Sequence, residues 1–281
     1  MAGGKRCLYY QVFIAERSQA NIIVVHGLAE HSGRYKNVYD YFGQSHYSLW
    51  SLDHYGHGIS PGRRCHLRRF NDLSDDLGVF IERVARETPH KPIFIIAHSM
   101  GALITLNYLI RISDSPVSGV VTSGLSLKLG ASVSRRLIPF AKLLSGLWPI
   151  LRVQKLDATA ISQDATVVKA YLDDERVYAG KITARLGSEL IGVMGKVLAN
   201  MDRLNTPLLI LHGLSDRLAD PESSRVLFAY AGSRDKTIKL YAGFYHELFN
   251  EPGRLQVLLD VKQWLDGHSI TVPGDFTVDT C

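Results

Sequence analysis

A chain of 281 residues, 46% hydrophobic and 21% charged, suits an ordinary globular protein of one α/β domain with an insertion, or at most two small domains. No low-complexity tract, charge block or internal repeat interrupts it. The 32 basic and 27 acidic residues leave +5 with histidine neutral. Arginines gather at Arg63, Arg64, Arg68 and Arg69, and again at Arg135 and Arg136. They are not interleaved with aromatics in any nucleic-acid-binding module, so nucleic acid is not expected as a partner. Attraction to an anionic membrane or phosphate and a plainly solvated surface are both open readings of them.

Cys7, Cys65 and Cys281 are too few and too scattered for a disulfide framework, which points to reduced thiols. The run from Leu8 to Ala15 is short, broken by Gln11, and lacks a small-residue cleavage site. No apolar run approaches membrane-spanning length. These features predict a cytoplasmic protein.

In chain order, Leu8–Ala15 alternates as an outer strand should. Asn21–Val25, Ser48–Asp53, Ile93–Ala97, Val117–Thr122, Leu208–Leu211 and Thr237–Tyr241 follow as short β-branched or apolar runs. Near-continuous apolar strands fit a parallel sheet buried on both faces. Asn71–Glu87 places Leu73, Leu77, Phe80, Ile81 and Val84 at helical spacing. Gly101–Ile112 is apolar nearly all round and predicts a buried helix, and Leu255–Leu265 predicts a closing one. Strands alternating with helices imply a doubly wound α/β core. The alternation fails between about Leu125 and Asn200, a stretch too long for a loop and read as several helices. Within it, Ser134–Leu151 is amphipathic and is divided by Pro139 and Pro149. The expected organisation is a core of 1–124 and 201–281 with a helical cap at 125–200.

The sharpest signal is Ala97-His98-Ser99-Met100-Gly101, directly after a buried strand and directly before a helix. A serine on such a bend is pushed above the sheet, and small flanking residues avoid clashes. Its hydroxyl is a weak nucleophile until an oriented base takes the proton. Where the serine lies on this turn, acid and then base follow it along the chain. Asp216 lies just beyond the Leu208–Leu211 strand, at the end where such sheets place their sites. His246 follows the last strand and can take and return a proton near neutrality. Asp220 is the competing acid, set deeper in the following loop or helix start. The backbone N–H groups of Met100 and Leu28 are the candidate oxyanion donors. His98, beside the nucleophile, and His26, before Gly27, read as structural. His54 and His57 lie near Asp53, but no further ligand accompanies them, so neither metal nor cofactor is expected.

Three long motifs carry a resemblance: His26-Gly27-Leu28-Ala29-Glu30-His31-Ser32-Gly33-Arg34-Tyr35, Asp53-His54-Tyr55-Gly56-His57-Gly58 and His98-Ser99-Met100-Gly101. Leu156–Ser162 and Tyr245–Pro252 add to it. Together, from about Ile22 to Leu265, they resemble the monoacylglycerol lipase family. The resemblance implies the α/β-hydrolase fold and cofactor-free hydrolysis of a monoacylglycerol to fatty acid and glycerol through an acyl-serine. It also implies a cap over an acyl tunnel, resting transiently against membrane lipid. Glu30, Arg34 and Tyr171 match the residues that meet the glycerol head in that family, although Glu30 and Arg34 equally suit a structural ion pair. The chain departs from the family pattern at Ala102, at Glu175-Arg176, and at Phe249, where vertebrate members carry a histidine. A lysophospholipase or broad carboxylesterase is the alternative enzyme, with the basic clusters slightly favouring a phosphate-bearing substrate. A non-catalytic lipid-binding protein is the alternative of another class, which a complete Ser99, Asp216 and His246 set argues against.

Overall fold

The computed structural model describes residues 7–128 and 145–269. Seven strands form one sheet: β1 (Tyr10–Phe13), β2 (Ala20–Val25), β3 (Tyr47–Leu52), β4 (Ile93–His98), β5 (Val117–Ser123), β8 (Leu208–Gly213) and β9 (Lys236–Tyr241). Their order is β1-β3-β2-β4-β5-β8-β9. Only β1 runs antiparallel to its neighbour, and every other pairing is parallel. The outer strand is the one whose sequence alternates. β2, β3, β4 and β8 are buried at every residue, as their unbroken apolar runs require.

Successive side chains on a strand face opposite ways, so the sheet feeds two cores. Ile23 and Val25 join Leu77 and Ile81 of α2 (Asn71–Glu87) and Leu103 and Leu106 of α3 (Met100–Arg111). Ile22 and Val24 join Phe42 of α1 (Lys36–Gly43) and Val257 and Val261 of α7 (Arg254–Ser269) on the other face. Gly101 lets α3 approach: a Cβ there would stand 2.2 Å from Val25 O and 2.7 Å from His26 O. Another helix, α6 (Glu222–Tyr230), follows β8 and sends Leu227 into the first core.

The segment between β5 and β8 holds α4 (Ala165–Asp173) and α5 (Ala184–Leu198), each with a side-chain N-cap. Asp164 accepts from Thr166 N, and Thr183 accepts from Leu186 N. Sequence periodicity predicts only helices here. The structure adds an antiparallel strand pair, β6 (Arg152–Lys155) with β7 (Lys181–Thr183). These strands are short, and β6 is polar and mostly exposed, so they leave no apolar run to read. Most of the predicted amphipathic stretch Ser134–Leu151, with Arg135 and Arg136, lies outside the described residues, as does Cys281. No helix among the described residues is long and apolar enough to cross a membrane.

Candidate active site

Ser99 occupies the turn between β4 and α3 with φ +52° and ψ −114°, a left-handed backbone that a non-glycine residue adopts only under tertiary constraint. Ser99 N donates to Ser123 O at 2.8 Å, and Ser99 O accepts from Ala102 N at 3.1 Å, so the bend is tied to β5 on one side and to α3 on the other. Ala97 is fully buried, which explains why a small residue suffices where glycine is usual.

Across the sheet end, His246 Nδ1 lies 2.6 Å from Asp216 Oδ2. The other oxygen of Asp216 accepts from Leu218 N at 2.8 Å and Ala219 N at 2.9 Å. His212 Nε2 stands 3.2 Å from Oδ2. Burial alone would raise the Asp216 pKa; the charge of His246 and these hydrogen bonds outweigh it and hold the carboxyl far below its ordinary range. Burial pulls the other way on His246, lowering its pKa, but Asp216 prevails and the imidazole ends above its ordinary value. Asp220 is exposed and accepts from Glu222 N at 2.9 Å in a local turn just before α6, while His246 pairs with Asp216.

Ser99 and His246 border one cavity of about 150 Å³. Leu103, Ile161, Leu190, Met194 and Leu218 are among its apolar walls; Leu28, Met100, Glu30 and Tyr171 border it too. Met100 opens α3, where backbone N–H groups have no partner within the helix. Leu28 is carried by a loop that His26 shapes: its Nδ1 hydrogen-bonds Gly27 O at 2.8 Å and its Nε2 accepts from His54 N at 2.9 Å. His54 and His57 pack against His26, with ring centroids 4.3 and 5.4 Å away. Burial drives all three imidazoles to the neutral form, His57 to about 4 and His26 to about 3. Asp53 closes its own motif by accepting from Ser32 N and Ile59 N. Among the described residues no group of three histidines, cysteines or acids is placed to hold a metal ion. His98 lies with its ring centroid 4.6 Å from that of His246, the rings tilted by 59°, and burial keeps it neutral as well.

Arg34 is not a wall residue. Its Nη2 lies 2.5 Å from Glu247 Oε2 and its Nε 3.3 Å from Glu30 Oε2. The guanidinium sits 4.6 Å over the Tyr171 ring. Glu30 Oε1 accepts from Gly27 N at 2.6 Å and from Tyr35 OH at 2.8 Å. Burial, then the neighbouring Glu247, raises the Glu30 carboxyl to about 7 against the opposing pull of Arg34. Glu247 borders the cavity and was given no role by the sequence reading. Its signal was its place beside His246 in a matched motif.

The β5–β8 segment is fastened to both loops that carry the site. Tyr178 N donates to Ala29 O at 2.8 Å, and Glu247 N donates to Ile161 O at 2.8 Å. A serine on a constrained bend, sharing an apolar cavity with an imidazole oriented by a carboxylate, is the group set that acyl transfer requires.

The model of the family described as serine aminopeptidase, S33 (Hydrolase_4) matches residues 16–253. The chain is similar to the monoacylglycerol lipase of Mycolicibacterium smegmatis, 38% identical over 95% of each protein. Its structure is similar to that of the Paleococcus ferrophilus monoacylglycerol lipase, with TM-score 0.85 and 30% identity over 93% of this chain and 99% of that one. A soluble variant of the Saccharomyces cerevisiae monoglyceride lipase, solved with a substrate analog, matches with TM-score 0.87 and 25% identity over 96% and 95% of the two chains. The chain belongs to this Hydrolase_4 family and, within it, to the monoacylglycerol lipase family: it is a serine ester hydrolase of the α/β-hydrolase fold.

Proposed function

We propose that the chain hydrolyses monoacylglycerols to fatty acid and glycerol through an acyl-serine. Ser99 Oγ attacks the ester carbonyl while His246 Nε2 takes its proton. Asp216 holds the imidazole in the required tautomer and balances the imidazolium charge. The oxyanion is met by Leu28 N–H and Met100 N–H. Glycerol leaves with the proton from His246, and water repeats the sequence on the acyl-enzyme.

One observation carries this reading. The cavity that Ser99 and His246 share is apolar along most of its wall, with polar groups that include Glu30, Glu247, Gln154 and Ser126, which suits an acyl chain joined to a hydroxylated head. The relatives named as monoacylglycerol lipases support the same substrate. Fatty-acid release from a monoacylglycerol, abolished by Ser99→Ala, is the test.

The described part of the 125–200 segment, which lends Leu156, Ile161, Tyr171 and Leu190 to the cavity wall, serves as its cap. Leu147 and Trp148, each 59% exposed, with Ile150 at 52%, give the cap an apolar surface. That surface rests transiently on lipid, which makes the protein peripheral at membranes.

A further inference from the structure

Arg34 stands behind both carboxyls of the cavity wall and is paired with each of them. Glu247 holds it at 2.5 Å and Glu30 at 3.3 Å, and its flat face covers Tyr171. The three charged side chains are 8% exposed or less. Among the described residues of the cavity wall, the charged side chains apart from the imidazoles His98 and His246 are the carboxyls of Glu30 and Glu247. With the Glu30 carboxyl raised to about 7 and so part-neutral near pH 7, Arg34 is balanced chiefly by the Glu247 carboxylate, which leaves no spare positive charge here to draw an anion.

The acceptors there are distributed unevenly. Both oxygens of Glu30 are occupied, by Gly27 N, Tyr35 OH and Arg34. Glu247 Oε2 accepts from Arg34 and from Asn250 Nδ2 at 2.8 Å. Its Oε1 accepts from no described residue. A polyol head can donate a hydroxyl to that oxygen, whereas an ionised phosphate offers mainly acceptors and brings like charge into a water-poor site. Among the described arginines of the basic clusters, Arg63, Arg68 and Arg69 are exposed, and neither they nor Arg64 line the cavity wall.

We propose that Glu247 is a specificity-determining residue, admitting neutral polyol heads and rejecting phosphate-bearing ones by holding Arg34 and presenting its own carboxylate. The inference rests on the lipid-ester reading above and assigns the head-group selection within it. Replacing Glu247 by glutamine keeps an acceptor in place but removes the charge and loosens Arg34, freeing it to pair with an anion.

The test is calorimetric binding, below the critical micelle concentration, of two non-hydrolysable amphiphiles: 1-O-dodecylglycerol and dodecyl phosphate. The wild-type chain binds the glycerol ether more tightly. In Glu247→Gln the ratio of the two dissociation constants falls about tenfold, mainly through tighter phosphate binding. Glu247→Asp, which keeps the charge, retains a ratio near that of the wild type. If E247Q does not fold, Glu247→Ser, which also removes the charge while keeping a neutral acceptor, carries the same expectation. An unchanged ratio in the folded variant, or an equal loss of both ligands, overturns the proposal. So does a wild-type chain that binds the phosphate as well as the ether. Because no turnover is needed, failure to hydrolyse monoacylglycerol would sink the substrate reading and leave this result standing separately.

Discussion

Glu251 is fully buried and holds Gln163 by two hydrogen bonds, 2.8 Å to the backbone N and 2.6 Å to the side-chain amide. Glu251 follows the loop of His246, and Gln163 belongs to the proposed cap, so the pair pins one body to the other beside the site. Glu251→Ala removes both bonds to Gln163 and opens a void where a fully buried side chain stood. Chemical denaturation should show a loss of about 2–4 kcal/mol. If the pair also fixes the cap, KM for a long-chain ester should rise more than KM for a short one.

The acid limb of the kcat/KM profile should fall above pH 6.5, the ordinary imidazole value, because His246 acts as a base only when neutral and its pKa is raised. Asp216→Asn removes the charge that outweighs burial. The limb should then move below 6.5, with the plateau reduced about 10⁴-fold. A wild-type profile flat down to pH 5 would count against His246 as the base.

Glu30 makes stability depend on pH in a direction opposite to most carboxyls. Its folded pKa, about 7, lies above the ordinary value of 4.5, so the folded state binds more protons in that interval. Stability is then present at low pH and is lost as pH rises from 4.5 through 7. At about 1.4 kcal/mol per unit, the loss is of the order of 3 kcal/mol. Thermal melts of wild type and Glu30→Gln should diverge across this window, the variant gaining relative stability as pH rises.

Gly101→Val should not yield a folded protein, since its Cβ would meet the backbone oxygens of Val25 and His26. Backbone cannot give way there without moving α3 off β2, so the cost exceeds the roughly 1–3 kcal/mol of ordinary overpacking. Soluble yield and circular dichroism check it.

Replacing Leu147 and Trp148 together by serine should weaken binding to lipid vesicles several-fold while leaving hydrolysis of a dissolved short ester intact. Vesicle binding equal to that of the wild type would remove the membrane role of the cap surface.

The buried strands and α2 were readable because their signals are local: unbroken apolar runs, and a seventeen-residue amphipathic pattern whose bounds match the helix. Ser99 was readable for the same reason, as a serine set between an apolar run and a helix. α1 and α6 were not foreseen. They are eight and nine residues long, too short for a clear apolar stripe. The pairing of Arg34 with Glu247 joins residues 213 positions apart, and no spacing rule reaches that far. The family resemblance named Arg34 as a head-group contact. In the structure Arg34 packs on Glu30, Glu247 and Tyr171, three residues that border the cavity.

The most direct measurement is fatty-acid release from a monoacylglycerol, a lysophosphatidylcholine and a soluble short-chain ester, with Ser99→Ala alongside. The expected result is the highest kcat/KM on the monoacylglycerol, lost by at least 10³-fold in the variant. Turnover of the short ester alone would contradict the substrate assignment, and release that survives Ser99→Ala would contradict the mechanism itself.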